Sequence, residues 1–523
     1  MTRRYHGKRR RSRRPVLVQK PSGMIHPRVQ KVGPEHFGIV SVDCAKARSK
    51  WMLCDFYGNV LIPPTTVEHC RPAFEQAIAL LRETMGRRDI REVLVAVERT
   101  GRYHHAVQRA FSAGGFEVRT VHPFATKQFR QPRSPGVKTD DIDLMAIHLC
   151  AINGFALVEP LVDESWRELQ LLIRYRRDLV NKISSLCCQI REHLEAAMPG
   201  YGGCFSKLWE HEAPLHLAWK LGSADAILEK GLAGMINLLR DARIRFQERT
   251  LRRALTWAEA AANRDLGSDQ HHRIAMALNA DRAQKTLEIQ ALERHIASRL
   301  ARTPYILLLS IPGINVVSAA DYAGEMGPIK NYANSRCITG RAGLYPSRYQ
   351  SDQVDKADGP LVKCANRKLR AAIMMAADNL ITCNRYFGDL ARKWKEAGKD
   401  PRHTHVKIAH RFCRISYHMV AGQQVFHHPC ARQRSYILQK LMGFHGEHET
   451  PMDQILADLQ AVVDQLPRNE YKAEAGPLVK ELETIQQSRR RGPQLIGEIL
   501  PLVLAKLGVK KLQSIESGDK SPR

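Results

Sequence analysis

The chain is short of acids. Over 523 residues, 53 Asp and Glu face 81 Lys and Arg, which leaves a formal net charge of +28. An excess of that size draws polyanions by Coulomb attraction and counterion release, and nucleic acid is the foremost candidate. The chain also lacks any apolar run near the roughly 20 residues that cross a bilayer. It carries no lipidation motif and no amphipathic anchor, so an acidic membrane is a poor partner. The basic N-terminus has no apolar core segment, so it does not read as a secretory signal. A soluble cytoplasmic, nucleoid-associated protein is expected. Twelve cysteines are present, yet none makes a Cys-x-x-Cys pair, which argues against a zinc ribbon. Spread through apolar segments, they read as reduced core thiols. No internal repeat is found.

What is there divides into five stretches. Residues 1–34 hold Arg3, Arg4, Lys8, Arg9, Arg10, Arg11, Arg13 and Arg14, with no acid before Glu35. Like charge at that density and little apolar content predict a disordered basic arm, either a bare solvated tail or a nucleic-acid contact. Residues 35–160 read as α/β. "HFGIVSVDCAK" is a buried strand, "SKWMLCDFYGNVLI" two strands about a Gly-Asn turn, "EVLVAVE" and "FEVRTV" further strands, with helical spacing around 68–86 and 101–115. A meander followed by alternating helix and strand predicts a mixed sheet with helices on its faces. Residues 161–302 open and close with long amphipathic helices, 163–198 and 270–302, suited to an antiparallel coiled-coil-like arm. The segment 200–268 between them reads as a helical spacer. Residues 303–425 form a mainly α domain, and 426–523 a helical extension without an assignable role.

Four acids stand out. Asp43 ends the first strand and Glu98 a later one, and strand ends of one sheet converge on one edge. In "KTDDIDLMAIHL", Asp140 and Asp143 are three apart and share a helix face. Asp141 competes with Asp140, but the spacing from Asp143 favours Asp140. Four carboxylates together repel unless a cation neutralises them, and oxygen-only donors suit Mg²⁺ or Mn²⁺. Paired ions of this kind stabilise the attacking and leaving oxygens of a phosphodiester exchange. Each acid also has a bland explanation. A strand-end Asp is commonly a turn residue, Glu98 could cap the next helix, and the aspartates of 140–143 favour a helix N-terminus by the dipole. Their joint placement in one α/β unit is the stronger argument.

The strand ending in Asp43, "VERTGRYHHAV" with Glu98, "VHPFATKQF" and "KTDDIDLMA" resemble the successive motifs of the DEDD transposases, insertion-sequence recombinases related to the pilin-gene inversion recombinases. The resemblance implies a RuvC-like, RNase H-type N-terminal domain whose metal-binding tetrad is Asp43, Glu98, Asp140 and Asp143.

A second region lies beyond residue 303. "SIPGIN" (Ser310–Asn315), with Ile311 and Gly313, is similar to the turn of a helix-hairpin-helix element. Gly313 lets the backbone turn tightly and approach a phosphate, and N–H groups at the next helix start can hold it. An ordinary helical corner is the alternative. Further on, "AGLYPSRYQSDQVDKADGPLVKCANRKLRAAIMMAA" resembles the C-terminal domain of the same transposases. Their serine, the nucleophile on DNA that the resemblance implies, falls on Ser351, followed here by Asp352 where the family usually has Gly. Ser347 is the local competitor. Lys363, Asn366, Arg367 and Arg370 match the basic helix that follows and, with Arg348, would hold the scissile phosphate. The resemblance implies a recombinase that cuts and rejoins the two DNAs of a mobile element, double-stranded donor and target. It further implies a structured noncoding guide RNA, a homo-oligomer of two or four copies, and an active site drawing on both domains. A RuvC-like nuclease that hydrolyses a junction without the serine is the runner-up. A nucleic-acid-binding protein with a decayed nuclease fold is the third reading.

Overall fold

The computed structural model describes residues 23–131, 136–159, 163–205, 208, 211–261, 267–351, 354–356, 359–426 and 437–466. They fall into two compact units, residues 1–161 and 162–523.

In the first unit, helix α1 (His26–Val32) precedes strands β1 (Phe37–Cys44), β2 (Arg48–Asp55) and β3 (Val60–Glu68). Helix α2 (Arg71–Arg87), β4 (Glu92–Glu98), α3 (His104–Ala113), β5 (Glu117–Val121), α4 (Pro123–Arg130), α5 (Asp140–Ile152) and the short β6 (Ala156–Leu157) follow. The sheet order is β3-β2-β1-β4-β5-β6. The first three strands form an antiparallel meander, β1, β4 and β5 run parallel, and β6 returns antiparallel. Side chains alternate across such a sheet, which sorts its two faces. Val40, Val42, Val95 and Val97 meet Phe74 and Leu81 of α2 and Val107 and Phe111 of α3. Ile39, Leu94 and Ala96 meet Ile147, Cys150 and Ala151 of α5, with Ile25 and Val29 beside α1.

The basic leader therefore ends earlier than 34, because Ile25 and Val29 are buried. Arg28 of α1 pairs with Glu92 at 2.5 Å and Glu117 at 2.6 Å, and Arg119 donates to the Gly23 carbonyl at 2.9 Å. The arginines of residues 1–22 lie outside the described residues.

The second unit begins with α6 (Glu164–Ala197). Helices α7 (Glu212–Leu221), α8 (Ala224–Asp241) and α9 (Glu248–Glu259) follow, and then α10 (Ser268–Ala301). Contacts of α6 with α10 pair Glu168 with Arg299, Tyr175 with Glu288, and His193 with His271, so the two helices run antiparallel. The segment between them is more than a spacer. Tyr201, Leu217, Ile227, Leu239 and Leu251 close a core of their own with Leu194 at the end of α6.

After a 3-10 helix at Pro304–Ser310 come α11 (Val316–Met326), α12 (Ser335–Ala342) and the ribbon β7 (Tyr349–Ser351) and β8 (Val354–Lys356). Helices α13 (Arg367–Cys383), α14 (Arg385–Glu396), α15 (Pro401–Ala421), α16 (Ile437–Glu447) and α17 (Met452–Gln465) complete the unit. Leu169 and Ile173 of α6, Leu300 of α10, Tyr322, Phe412, Leu441 and Val462 share one core. The described helices beyond 426 thus belong to the same body as α11–α15.

The cysteines depart in part from the expected core thiols. Cys44, Cys54, Cys150 and Cys413 are buried, but Cys70, Cys188, Cys337, Cys364 and Cys383 are exposed, and all are free. Cys430 lies outside the described residues. No described helix is long and apolar enough to cross a membrane.

Candidate active site

The last matched pair of the parallel strands β1 and β4 is Val42 with Val97. Asp43 and Glu98 each stand one residue beyond it, at the carboxyl edge and on the sheet face that α5 covers. Helix α5 begins there because Thr139 caps it, its hydroxyl accepting from the Ile142 N–H at 3.3 Å. Three aspartates fill the first turn, where the helix dipole favours negative charge. Asp140 faces the cleft, whereas Asp141 turns away to Lys50 at 2.7 Å. Asp143 is buried, and Arg130 at the end of α4 donates to it.

Asp43, Glu98, Asp140 and Asp143 line one open pocket of about 830 Å³. The same pocket is lined by Arg48, Lys50, Arg99, Lys127, Arg130 and Lys138. Acids and cations side by side in one open cleft suit a phosphodiester chain approaching a bound metal. Burial, then the charges of Asp143 and Asp140, holds the Asp43 carboxyl above its ordinary range. Burial, then Asp43 and Asp143, pushes Glu98 up to about 7.

These strained carboxylates are the fit test for a divalent cation. Four hard oxygen donors with two of them resisting ionisation form the environment such an ion relieves. No three of the four acids close to within 4.8 Å of one another, as expected for like charges with Arg130 drawing Asp143 aside.

The serine region belongs to the second unit. Ser351 is the last residue of β7, and it pairs with Val354. Asp352 and Gln353 lie outside the described residues. Ser347 is committed to the base of the ribbon, its hydroxyl donating to the Pro360 carbonyl at 3.0 Å. Gly343 just upstream has φ +61°, and a Cβ there would stand 2.5 Å from the Arg370 guanidinium and 2.6 Å from Ala365. Only glycine satisfies both conditions.

Arg370 donates to the carbonyls of Ala342, at 2.8 Å, and Val362. Asn366 caps α13 through the N–H groups of Lys368 and Leu369 and donates to Glu325 at 3.3 Å. Both therefore organise the loop, while Lys363 and Arg367 are exposed at its mouth, as is Arg348. Glu325 is fully buried and takes a bidentate pair from Arg174 at 2.8 and 2.9 Å. That pair and the Asn366 amide hold its carboxyl below the ordinary value against the effect of burial.

The hairpin turns inward. Its first limb is the 3-10 helix, and Ile311, Pro312 and Ile314 are buried. Lys440 donates to the Ile311 and Ile314 carbonyls at 2.9 and 2.5 Å, and Asn384 to the Pro312 carbonyl at 2.9 Å. Gly313, at φ +95°, sits against the end of α13, where a Cβ would come 3.0 Å from the Asn379 carbonyl. The Ile311 side chain has no surface to offer a nucleic acid, and its N–H bonds to Leu308.

Sequence reasoning did not single out Arg130, Lys138 or Lys50 beside the acids, nor Lys440 beneath the hairpin. Lys138 precedes the "TDD" motif directly and was legible there. The others are brought in by tertiary structure.

Two stretches of the chain are similar to transposases. Residues 40–199 match the model of the DEDD transposases of the IS110 type, and residues 305–392 match that of the IS116/IS110/IS902 transposase family. A transposase for insertion sequence element IS1328 of Yersinia enterocolitica is 26% identical over 143 residues, which is 27% of this chain and 42% of that relative. The matched stretches contain both the acidic cleft and the loop that follows Ser351, and the chain spans less than half the length of this curated relative.

Proposed function

We propose that the protein is the recombinase of a mobile element, cutting and rejoining donor and target DNA with Ser351 as nucleophile and Asp43, Glu98, Asp140 and Asp143 as the Mg²⁺- or Mn²⁺-binding tetrad. The observation that carries this reading is the meeting of four acids from three sequence-distant segments in one cleft that six cations also line. The strand order and sense of the first unit support an RNase H-like, RuvC-type fold. A divalent cation held there supplies Lewis-acid stabilisation of the charge that builds on the phosphodiester oxygens.

The cleft cations position the strand. In the joining step the Ser351 hydroxyl oxygen bonds to phosphorus, one strand P–O bond breaks, and the departing oxygen takes a proton. Attack by a hydroxyl of another strand end reverses the exchange and frees the serine. Lys363 and Arg367 offset phosphate charge, while Asn366 and Arg370 hold the loop that presents them. The net charge of +28 supports binding of a structured guide RNA as well as DNA. Exchange between two duplexes requires a homo-oligomer.

The test uses Ser351→Ala and Asp143→Asn. Ser351→Ala abolishes covalent protein–DNA adducts and joined products, and Asp143→Asn abolishes metal-dependent activity. Cutting that survives Ser351→Ala would move the assignment to a metal-and-water nuclease. DNA binding with no metal-dependent chemistry in the unmodified protein would leave only a binding module.

A further inference from the structure

We propose a second cation site in the first unit, formed by His104, His105 and Glu159, that takes a borderline ion of the Zn²⁺ class and lies apart from the acidic tetrad. Among the described residues this is the only set of three or more potential ligands whose donor atoms all lie within 4.8 Å of one another. It joins two elements distant in sequence. His104 and His105 open helix α3, and Glu159 follows β6 at the sheet edge.

His104 is 2% exposed, yet neither of its ring nitrogens has a hydrogen-bond partner, and the same holds for the buried Oε2 of Glu159. His104 Nε2 faces that oxygen at 3.7 Å, too long for a hydrogen bond and wide enough for a shared ion to draw both inward. The two imidazole rings lie with centroids 4.1 Å apart. Burial and the neighbouring His105 hold His104 towards its neutral form, the form that ligates.

Orphaned buried donors are expensive and are rarely left so. A cation would satisfy one ring nitrogen of His104 and the Glu159 oxygen together. Two nitrogens and one oxygen suit Zn²⁺ in four-coordination with water as the fourth ligand, whereas the all-oxygen tetrad suits a harder ion.

The other carboxylate oxygen of Glu159 pairs with Arg99 at 3.4 Å, and Arg99 lines the acidic cleft. The ion would therefore staple α3 to the segment after β6 and fix a cation that lines the cleft. This inference does not depend on the transposition chemistry.

The experiment titrates the full-length, chelator-stripped protein with Co²⁺, reading the visible absorption of the four-coordinate, nitrogen-ligated ion, in the presence of excess Mg²⁺. One equivalent of Mg²⁺-resistant, Zn²⁺-displaceable absorption is expected. It should persist in the Asp43→Asn/Asp143→Asn protein and vanish in Glu159→Gln and in His105→Ala, two partly exposed positions whose folded state is checked by circular dichroism. Absence of the band in the unmodified protein would overturn the proposal. So would its survival in either ligand variant that remains folded, or its loss in the Asp43→Asn/Asp143→Asn protein. His104→Gln provides a third ligand variant, with the same loss expected.

Discussion

Replacing Glu98 by Gln should stabilise the metal-free protein while destroying its function. The carboxyl is pushed from its ordinary 4.5 to about 7, first by burial and then by Asp43 and Asp143. A displacement of that size corresponds to roughly 3 kcal/mol between protonated and ionised forms. The cleft is open to water, so screening reduces this to about 1–2 kcal/mol. The sign follows from proton linkage. A carboxyl that binds its proton more tightly when folded contributes full stability below pH 4.5, and that contribution disappears as pH rises through 7. Glutamine has no such transition. In chelator, the two proteins should therefore match near pH 5, and Glu98→Gln should be more stable by about 1–2 kcal/mol at pH 8, read from urea midpoints. Adding Mn²⁺ should reverse the order, because a ligand bound to the folded state alone stabilises it. Equal midpoints in chelator at pH 8, or equal stabilisation of both proteins by Mn²⁺, would refute the account of the cleft.

Three further outcomes follow from the second unit. Arg174→Met strands the buried Glu325 carboxylate, and a loss of about 3–5 kcal/mol in chemical denaturation is expected. Gly343→Ala combines a positive φ with a clash against Arg370, so about 1–3 kcal/mol should be lost, and DNA binding should weaken as the Lys363 loop shifts. Lys440, which bonds the hairpin carbonyls, is pushed by burial from 10.5 to about 8. Its charged form therefore opposes folding most strongly below pH 8, and the unmodified protein should gain up to about 3 kcal/mol in stability relative to Lys440→Met from pH 7 to 10.5. A stability difference that does not change with pH would show that the amine is solvated.

The sheet was legible because β1 and β4 are largely apolar runs, with Asp43 next to last in β1 and Glu98 last in β4. Of the two residues weighed by their spacing from Asp143, Asp140 lines the cleft and Asp141 pairs with Lys50. Helix α1 was hidden because composition dominated the expectation. Two apolar residues, Ile25 and Val29, decide its fate against the sheet, and a charge average does not register them.

The basic residues after Ser351 show a different limit. Arginine near a candidate nucleophile suggests phosphate, yet Arg370 spends its donors on the carbonyls of Ala342 and Val362. Which acceptor an arginine finds depends on how the loop closes, and the loop closes through Gly343. The "SIPGIN" turn, with its Pro-Gly pair, suggests a phosphate-facing hairpin or an ordinary helical corner. Its burial comes from α13 and α16, more than 50 residues downstream.

The long pair α6 and α10 has a consequence for the order of synthesis. Arg174, near the start of α6, emerges 151 residues before Glu325, the acid that it clasps. At roughly 5–20 residues per second on the ribosome, that wait is on the order of ten seconds or more. Leu169 and Ile173 meanwhile have none of their later neighbours. The small core around Tyr201 and Leu251 is complete by residue 261, so it can set first and hold the far end of α6 in place until α10 returns along it to close the base.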